Sequence, residues 1–156
     1  MCTTGCYSRR MLRDASLIPL SHQHHNGLAL CVLTRRSLAA DSSVANIGRL
    51  AARIIDRFEL ELVNHFAIEE EVLFPVCGPL PLVTELIGEH RRLEAMAAGL
   101  REAPSAESLE EFCALLSAHI RKEESELFEQ IQRELPRETL DRAGAEIDRR
   151  AVRICL

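Results

Sequence analysis

The sequence predicts an all-α fold, an antiparallel up-and-down four-helix bundle with an additional amphipathic helix at the C-terminus. The six prolines fall at natural breaks and leave long proline-free stretches between them. Apolar residues recur at helical spacing within these stretches, as in Leu50, Ile54 and Phe58. Alternating apolar and polar runs bounded by turn residues do not occur, so no strand is expected. Long helices with short connections are typical of antiparallel bundles.

Capping residues and prolines set the boundaries of the predicted helices. Ser21 can cap the first helix, and Asp41, Ser42 or Ser43 can cap the second. The four bundle helices are predicted at about residues 21–40, 42–74, 82–102 and 105–135. A fifth, amphipathic helix is predicted at about 137–152, where apolar residues stand three and four positions apart.

Length and charge exclude several classes of function. A chain of 156 residues is predicted to form one domain, with an N-terminal arm at 1–15 and the bundle at 16–156. The 19 basic residues against 24 acidic ones, a net charge of −5, argue against nucleic acid or a membrane as partner. The sequence shows no signal peptide, no membrane span and no CxxC pair. We expect a cytoplasmic protein with reduced thiols, in which Cys2 and Cys6 are the candidates for redox chemistry.

The histidines form a repeated pattern. The motif H-x3-E-E-x2-L-F occurs twice, beginning at His65 and at His119, 54 residues apart. Residues four apart on an α-helix point to the same side, so His65 with Glu69, and His119 with Glu123, can bind one ion or an adjacent pair. The second glutamate of each motif points away and is expected at the rim or in solvent.

The other two bundle helices carry shorter versions of this motif. His90 and Glu94 repeat the spacing on the third helix, and His25 lies on the apolar stripe of the first. Buried carboxylates without a cation are costly, so the pattern predicts a metal site. Imidazoles and carboxylates without thiolates favour iron or manganese. Seven protein ligands are too many for one ion, so two ions bridged by carboxylates are expected. The predicted ligands are His25, His65, Glu69, His90, Glu94, His119 and Glu123.

From Ser21 to Phe128 the chain resembles the hemerythrin-like (HHE cation-binding) proteins. The resemblance rests on an inward histidine on helix one, HF-x2-E-E on helix two, a histidine on helix three and HI-x2-E-E on helix four. It implies an antiparallel four-helix bundle around a non-haem di-iron site that binds dioxygen or related small ligands. By position it implies four histidine ligands and two bridging carboxylates, namely His25, His65, His90, His119, Glu69 and Glu123.

Two ligand choices remain open within this resemblance. The last family motif has its carboxylate five residues after the histidine, which would select Glu124, whereas helical geometry and the repeat favour Glu123. On helix one, the run HQHH at 22–25 offers three histidines. His25 fits best, and His24 is the alternative.

Oxygen-carrying hemerythrins have His-x3-His on helix three, where this chain has Glu94 as the second member. A carboxylate near iron stabilises the ferric state, which favours sensing or redox and iron handling over bulk oxygen carriage.

The expected cofactor is a pair of non-haem iron ions with an oxo or hydroxo bridge, with manganese or zinc as alternatives. The expected ligand is a diatomic molecule or peroxide. Other functions predicted are a small di-iron oxidase or peroxidase, and a metal-stabilised interaction module that forms a homodimer through the C-terminal helix.

Overall fold

The computed structural model describes residues 12–154, and this part of the chain is all-helical, as the sequence predicts. A short 3-10 turn, Ala15–Leu17, comes first. Five long helices follow, α1 (Ile18–Ala40), α2 (residues 44–77), α3 (Pro81–Glu102), α4 (residues 106–134) and α5 (Arg137–Arg150). The described residues include no strand. The division into an arm and a bundle domain stays a prediction, since most of the arm lies outside the described residues.

Two helices contain π-helical turns, in which a backbone N–H donates to the carbonyl five residues earlier. These turns are Phe58–Leu62 and Glu69–Leu73 in α2, and Glu123–Leu127 in α4. The N–H of Phe74 accordingly donates to the carbonyl of Glu69, and the N–H of Phe128 to that of Glu123. Two of the three turns therefore begin at the first glutamate of the repeated motif.

Local signals explain where α2 and α4 begin. The Ser43 side chain accepts a hydrogen bond from the backbone N–H of Asn46, and this selects Ser43 among the three caps predicted for α2. At the start of α4, Ser105 and Ser108 each accept a hydrogen bond from the other's backbone N–H, which forms a capping box.

Two boundaries near prolines differ from the prediction. The first helix begins at Ile18 rather than at Ser21, because Pro19 fits the first helical turn, where a backbone N–H has no partner in the helix. The second helix continues past Pro75, which lies two residues after the end of a π-helical turn. It ends at Cys77, and the next residue, Gly78, has a φ of 73°, a left-handed conformation that favours glycine.

The first four helices pack as a closed ring, in which α1 contacts α2 and α4, and α3 contacts the same two. Their apolar residues form two separate cores. One core contains Ile54 and Phe112, and the other contains Leu86 and Phe128. On each helix, residues of one core follow residues of the other along the chain, so a layer between them lies at the same level on all four helices.

The fifth helix buries its apolar residues against its own chain, on the 3-10 turn, α1 and α2. Leu140 and Ile147 are buried there. The predicted dimer through this helix stays a prediction. None of the described helices is long and apolar enough to cross a membrane. Cys31, Cys77 and Cys113 are free thiols. Cys2 and Cys6, the candidates for redox chemistry, lie outside the described residues.

Replacing Gly144 with alanine is expected to destabilise the docked fifth helix. A Cβ at this position would lie 2.7 Å from the Cα of Ser16, a backbone atom that cannot rotate away. Such overpacking typically costs about 1–3 kcal/mol of unfolding free energy, which urea denaturation measures. Gly88→Ala, within α3, is the matched control. No atom lies within 4 Å of the added Cβ, so this variant is expected to gain about 0.5–1 kcal/mol in the helix interior. Equal stability of the two variants would contradict the close approach.

Candidate metal centre

Six buried side chains from the four bundle helices meet in the layer between the two cores. They form two groups of potential metal ligands, in which the ligand atoms lie within 4.8 Å of one another. The first group comprises His24, His65, Glu69 and Glu123, and the second comprises His90, His119, Glu69 and Glu123. Both groups contain the two glutamates, so each carboxylate can serve two neighbouring ions.

The distances within the layer explain this sharing. Glu69 turns one oxygen to each group, with Oε1 at 3.2 Å from Nε2 of His65 and Oε2 at 3.3 Å from Nε2 of His90. The Oε2 atom of Glu123 lies 3.0 Å from Nε2 of His24 and 3.3 Å from Nε2 of His119. All four imidazoles therefore direct Nε2 inward toward a shared carboxylate.

The chemistry of the buried atoms fits a metal. Both oxygens of Glu69, both oxygens of Glu123, and the Nε2 atoms of His90 and His119 have no hydrogen-bond partner and no solvent contact. Buried polar atoms are nearly always paired, because an unpaired one loses its hydration without compensation. Cations placed in the two ligand groups would give these atoms partners. Nitrogen and oxygen donors of this kind suit iron, manganese or zinc.

Each imidazole has a separate partner for its outer nitrogen. The Nδ1 atom of His24 lies 2.7 Å from Glu124, that of His90 lies 2.8 Å from Glu70, and that of His119 lies 2.8 Å from Glu89. His65 differs, since its Nδ1 lies 2.9 Å from the amide oxygen of Gln23. When a metal ion replaces the proton on Nε2, partners of this type hold the remaining ring proton on Nδ1 and orient the ring.

Charge compensation explains how so many ionisable groups stay buried. Burial disfavours the charged form of His24, but Glu123 and Glu124 outweigh this effect and raise the pKa of its imidazole to about 10. Burial likewise opposes charge on His119, yet Glu123 raises the pKa of that ring to about 9. Burial also disfavours the charged form of Glu69, but His65 and His90 hold the pKa of this carboxyl well below its usual range.

Each of the outer glutamates forms an ion pair with a basic side chain. Burial disfavours charge on Glu124, but His24, Ser21 and Arg13 outweigh it and lower the pKa of this carboxyl to about 2. Arg13 donates to Glu124 Oε2 at 2.6 Å. Glu70 pairs with Arg91 and Glu89 with Lys122 in the same way. These ion pairs form a charged rim around the buried layer.

Glu70 and Glu124 contact histidines of neighbouring helices rather than those of their own motifs. A regular α-helix would direct these residues well away from the histidines of their own motifs. Each is the second residue of a π-helical turn, which widens the helix, and each is partly buried. Each reaches a histidine on a neighbouring helix, since Glu70 contacts His90 of α3 and Glu124 contacts His24 of α1. The expectation of a rim position is therefore refined to a hydrogen-bonding role at the rim.

Five of the seven predicted ligands lie in this layer, and two do not. Glu94 is a surface residue whose side chain is 41 % exposed and paired with Arg91. His25 is not part of either ligand group, and its place is taken by His24. The buried face of α1 includes Leu20, His24 and Cys31, and a regular helix turns the next residue about 100° away from this face.

Sequence reasoning missed Gln23, Glu70 and Glu89, which are the outer partners of three histidines. The motif has two adjacent glutamates, and this doubling was a signal in the sequence that Glu70 has a role at the site. Glu89 directly precedes His90 but contacts His119 on the next helix, a relation that only the packing of α3 on α4 creates.

A cavity of about 550 Å³ opens beside His24 and is lined by Arg13, His25, Arg121 and Glu124.

Comparisons with known proteins agree with this geometry. No curated protein and no solved structure matches the chain. A family model described as the hemerythrin HHE cation binding domain matches residues 16–131, which include α1, α2, α3 and most of α4. The matched range contains all six side chains of the layer. The chain therefore belongs to the hemerythrin HHE cation-binding family, and its buried histidines and glutamates form a site suited to metal ions.

Proposed function

We propose that this chain is a non-haem di-iron protein that binds dioxygen or a related small ligand, such as peroxide or nitric oxide. The observation that carries the proposal is the pair of ligand groups that share Glu69 and Glu123. Each group offers two imidazoles and two carboxylates, which is fewer than the six ligands of an octahedral ion. Iron held there would supply one-electron redox chemistry and open coordination positions for a small ligand.

We further propose that the first four helices form the antiparallel up-and-down bundle of the family, with α5 on its outside. The ring of contacts from α1 through α2 and α3 to α4 and back to α1 supports this arrangement. The short connections between consecutive helices support it as well, because they favour antiparallel neighbours.

Sensing, or redox and iron handling, is proposed as the function in preference to bulk oxygen carriage. Glu94 lies at the surface, so the charge of Glu94 does not support this preference. Three of the four imidazoles in the layer contact an outer carboxylate, namely Glu124, Glu70 or Glu89. A carboxylate partner makes an imidazole a stronger electron donor and so favours the more oxidised metal. A centre that favours the ferric state is poorly suited to reversible oxygen carriage.

The alternative of a small oxidase or peroxidase draws support from the cavity beside His24. Its volume of about 550 Å³ leaves room for a small molecule next to one of the four inward imidazoles. The Arg13–Glu124 ion pair lies in its wall, and Glu124 in turn holds His24. A substrate bound there would lie next to the His24 imidazole.

Metal analysis combined with visible spectroscopy tests the proposal. Protein as isolated is expected to contain two irons per chain, one for each ligand group, and to absorb in the near ultraviolet. Reduction followed by exposure to air or peroxide should remove and restore this absorption. One zinc per chain and no colour would overturn the proposal. Turnover of peroxide in the presence of a reductant would select the peroxidase, whereas stoichiometric binding would select the ligand-binding protein.

A further inference from the structure

The partner of His65 differs from those of the other three histidines and leads to the C-terminal segment. Gln23 is 3 % exposed, and its amide oxygen accepts from Nδ1 of His65 at 2.9 Å. Its amide nitrogen donates in the opposite direction, to the backbone carbonyl of Val152 at 3.1 Å and to Asn64 Oδ1 at 3.2 Å. Two acceptors on one side of the amide thus direct its oxygen to His65.

Asn64 binds the same segment through both ends of its side-chain amide. Its amide nitrogen donates to the carbonyl of Arg150 at 3.1 Å, and its oxygen accepts from the N–H of Val152 at 3.0 Å. Arg150 also pairs with Glu71 at 2.6 Å, which adds an ion pair at the surface. The backbone at 150–152 is therefore held by two side-chain amides, one of which contacts His65.

The orientation of the Gln23 amide decides which nitrogen of His65 can bind a metal. With the amide oxygen toward Nδ1, that atom carries the proton and the Nε2 lone pair faces Glu69. If the amide turned over, its nitrogen would donate to Nδ1, and the ring proton would move to Nε2. A protonated Nε2 cannot bind a metal ion. A carboxylate partner has no such second orientation, so the other three histidines do not share this dependence.

We propose that the backbone at 150–152 is a positioning element of the metal site, and that it acts on His65 through the side chains of Asn64 and Gln23. The proposal rests on the proposed function, in that His65 binds a metal. The family match ends at residue 131, so this element lies outside the matched range. The segment after α5 is non-helical, Val152 is 40 % exposed, and a cavity of about 310 Å³ lies between this segment and α1.

The test compares the full chain with a chain lacking residues 151–156. Both proteins are loaded with Co²⁺, and the ion is withdrawn with a chelator while its absorption is followed. Loss of an outer hydrogen-bond partner usually weakens metal binding about 10–100-fold. The shortened chain keeps Gln23 and its Asn64 acceptor but loses the Val152 acceptor, so release should accelerate by up to about this factor. Arg153→Ala is the matched control, since it alters the same segment but breaks only the exposed pair with Asp148. Its release rate is expected to equal that of the unaltered chain.

A second variant separates positioning from general loosening of the fold. In Gln23→Glu, a carboxylate accepts from His65 whether or not Val152 is present. Release is therefore expected to return to the slow rate when Gln23→Glu is combined with the deletion. Equal release from the full and shortened chains would overturn the proposal, and so would fast release from the combined variant.

Nitrogen NMR of the metal-free protein gives a readout that does not need a bound ion. In the neutral form of the ring, His65 of the full chain is expected to carry its proton on Nδ1, and the shortened chain should show a second form with the proton on Nε2. If neither chain bound metal, the proposed function would fail while this measurement still decided the positioning role. An unchanged His65 signal in the shortened chain would overturn the positioning role alone.

Discussion

Replacing Glu69 with glutamine is expected to reduce the number of metal ions bound per chain from the proposed two to none. Glu69 is fully buried and belongs to both ligand groups, with one oxygen toward His65 and the other toward His90. An amide of the same shape removes the negative charge and offers only one oxygen. Each ion position then loses a charged ligand, and the two positions lose their bridge. Metal analysis after dialysis measures the result.

Glu94→Gln is the matched control for this substitution. The side chain lies one helical turn after His90 and has the spacing of a ligand, but it faces the surface and pairs with Arg91. Metal content is expected to remain at two ions per chain in this variant. The same contrast applies on α1, where His24→Ala should lose metal and His25→Ala should retain it. Loss of metal from the Glu94 or His25 variant would contradict the ligand groups described above, and circular dichroism checks that each variant stays helical.

Replacing Phe66 with alanine is expected to have the largest effect on stability, about 3–5 kcal/mol of unfolding free energy. Phe66 is buried, and its ring stacks on His90 with a centroid separation of 3.9 Å. It also contacts the rings of Phe58 and His119 edge-on, at 6.1 and 5.9 Å. Truncation would leave a cavity between the apolar core and the ligand layer. The histidine contacts hold the surrounding helices in place, so these helices would not close the cavity.

Urea denaturation in the presence of a chelator measures this loss without a contribution from bound metal. Leu60→Ala, on the exposed side of the same helix, is the control, because Leu60 is 58 % exposed. Surface changes of this kind usually alter the unfolding free energy by less than about 0.5 kcal/mol. A loss below about 1 kcal/mol in Phe66→Ala would show that this ring does not support the layer.

The periodic parts of the molecule could be predicted from the sequence. Helices α3 and α4 begin and end within a residue or two of their predicted bounds, because Pro81 and Ser105 are strong local signals. The repeated motif predicted that His65 and Glu69 share one side of α2, and that His119 and Glu123 share one side of α4, because four-residue spacing on a helix is a local property.

The remaining features depend on contacts between helices. Two adjacent histidines on α1 differ by about 100° in direction, and only the packing of this helix against α4 decides that His24 faces inward. The outer partners are of the same kind, because Gln23, Glu70 and Glu89 each contact a histidine on another helix. Glu94 has the correct spacing after His90, but the arginine three residues before it offers a partner at the surface.

The two apolar cores with a polar layer between them have a consequence for cooperativity. In most small domains a single core makes unfolding an all-or-none event. Here the four helices run through both halves of the bundle, and the side chains between the halves are charged groups whose mutual attraction depends on their protonation and on any ion they share. Each half can therefore behave as a separate folding unit when the layer is weakened. Metal ions in the layer would then do more than provide a binding site for small ligands, because they would make the two halves unfold as one.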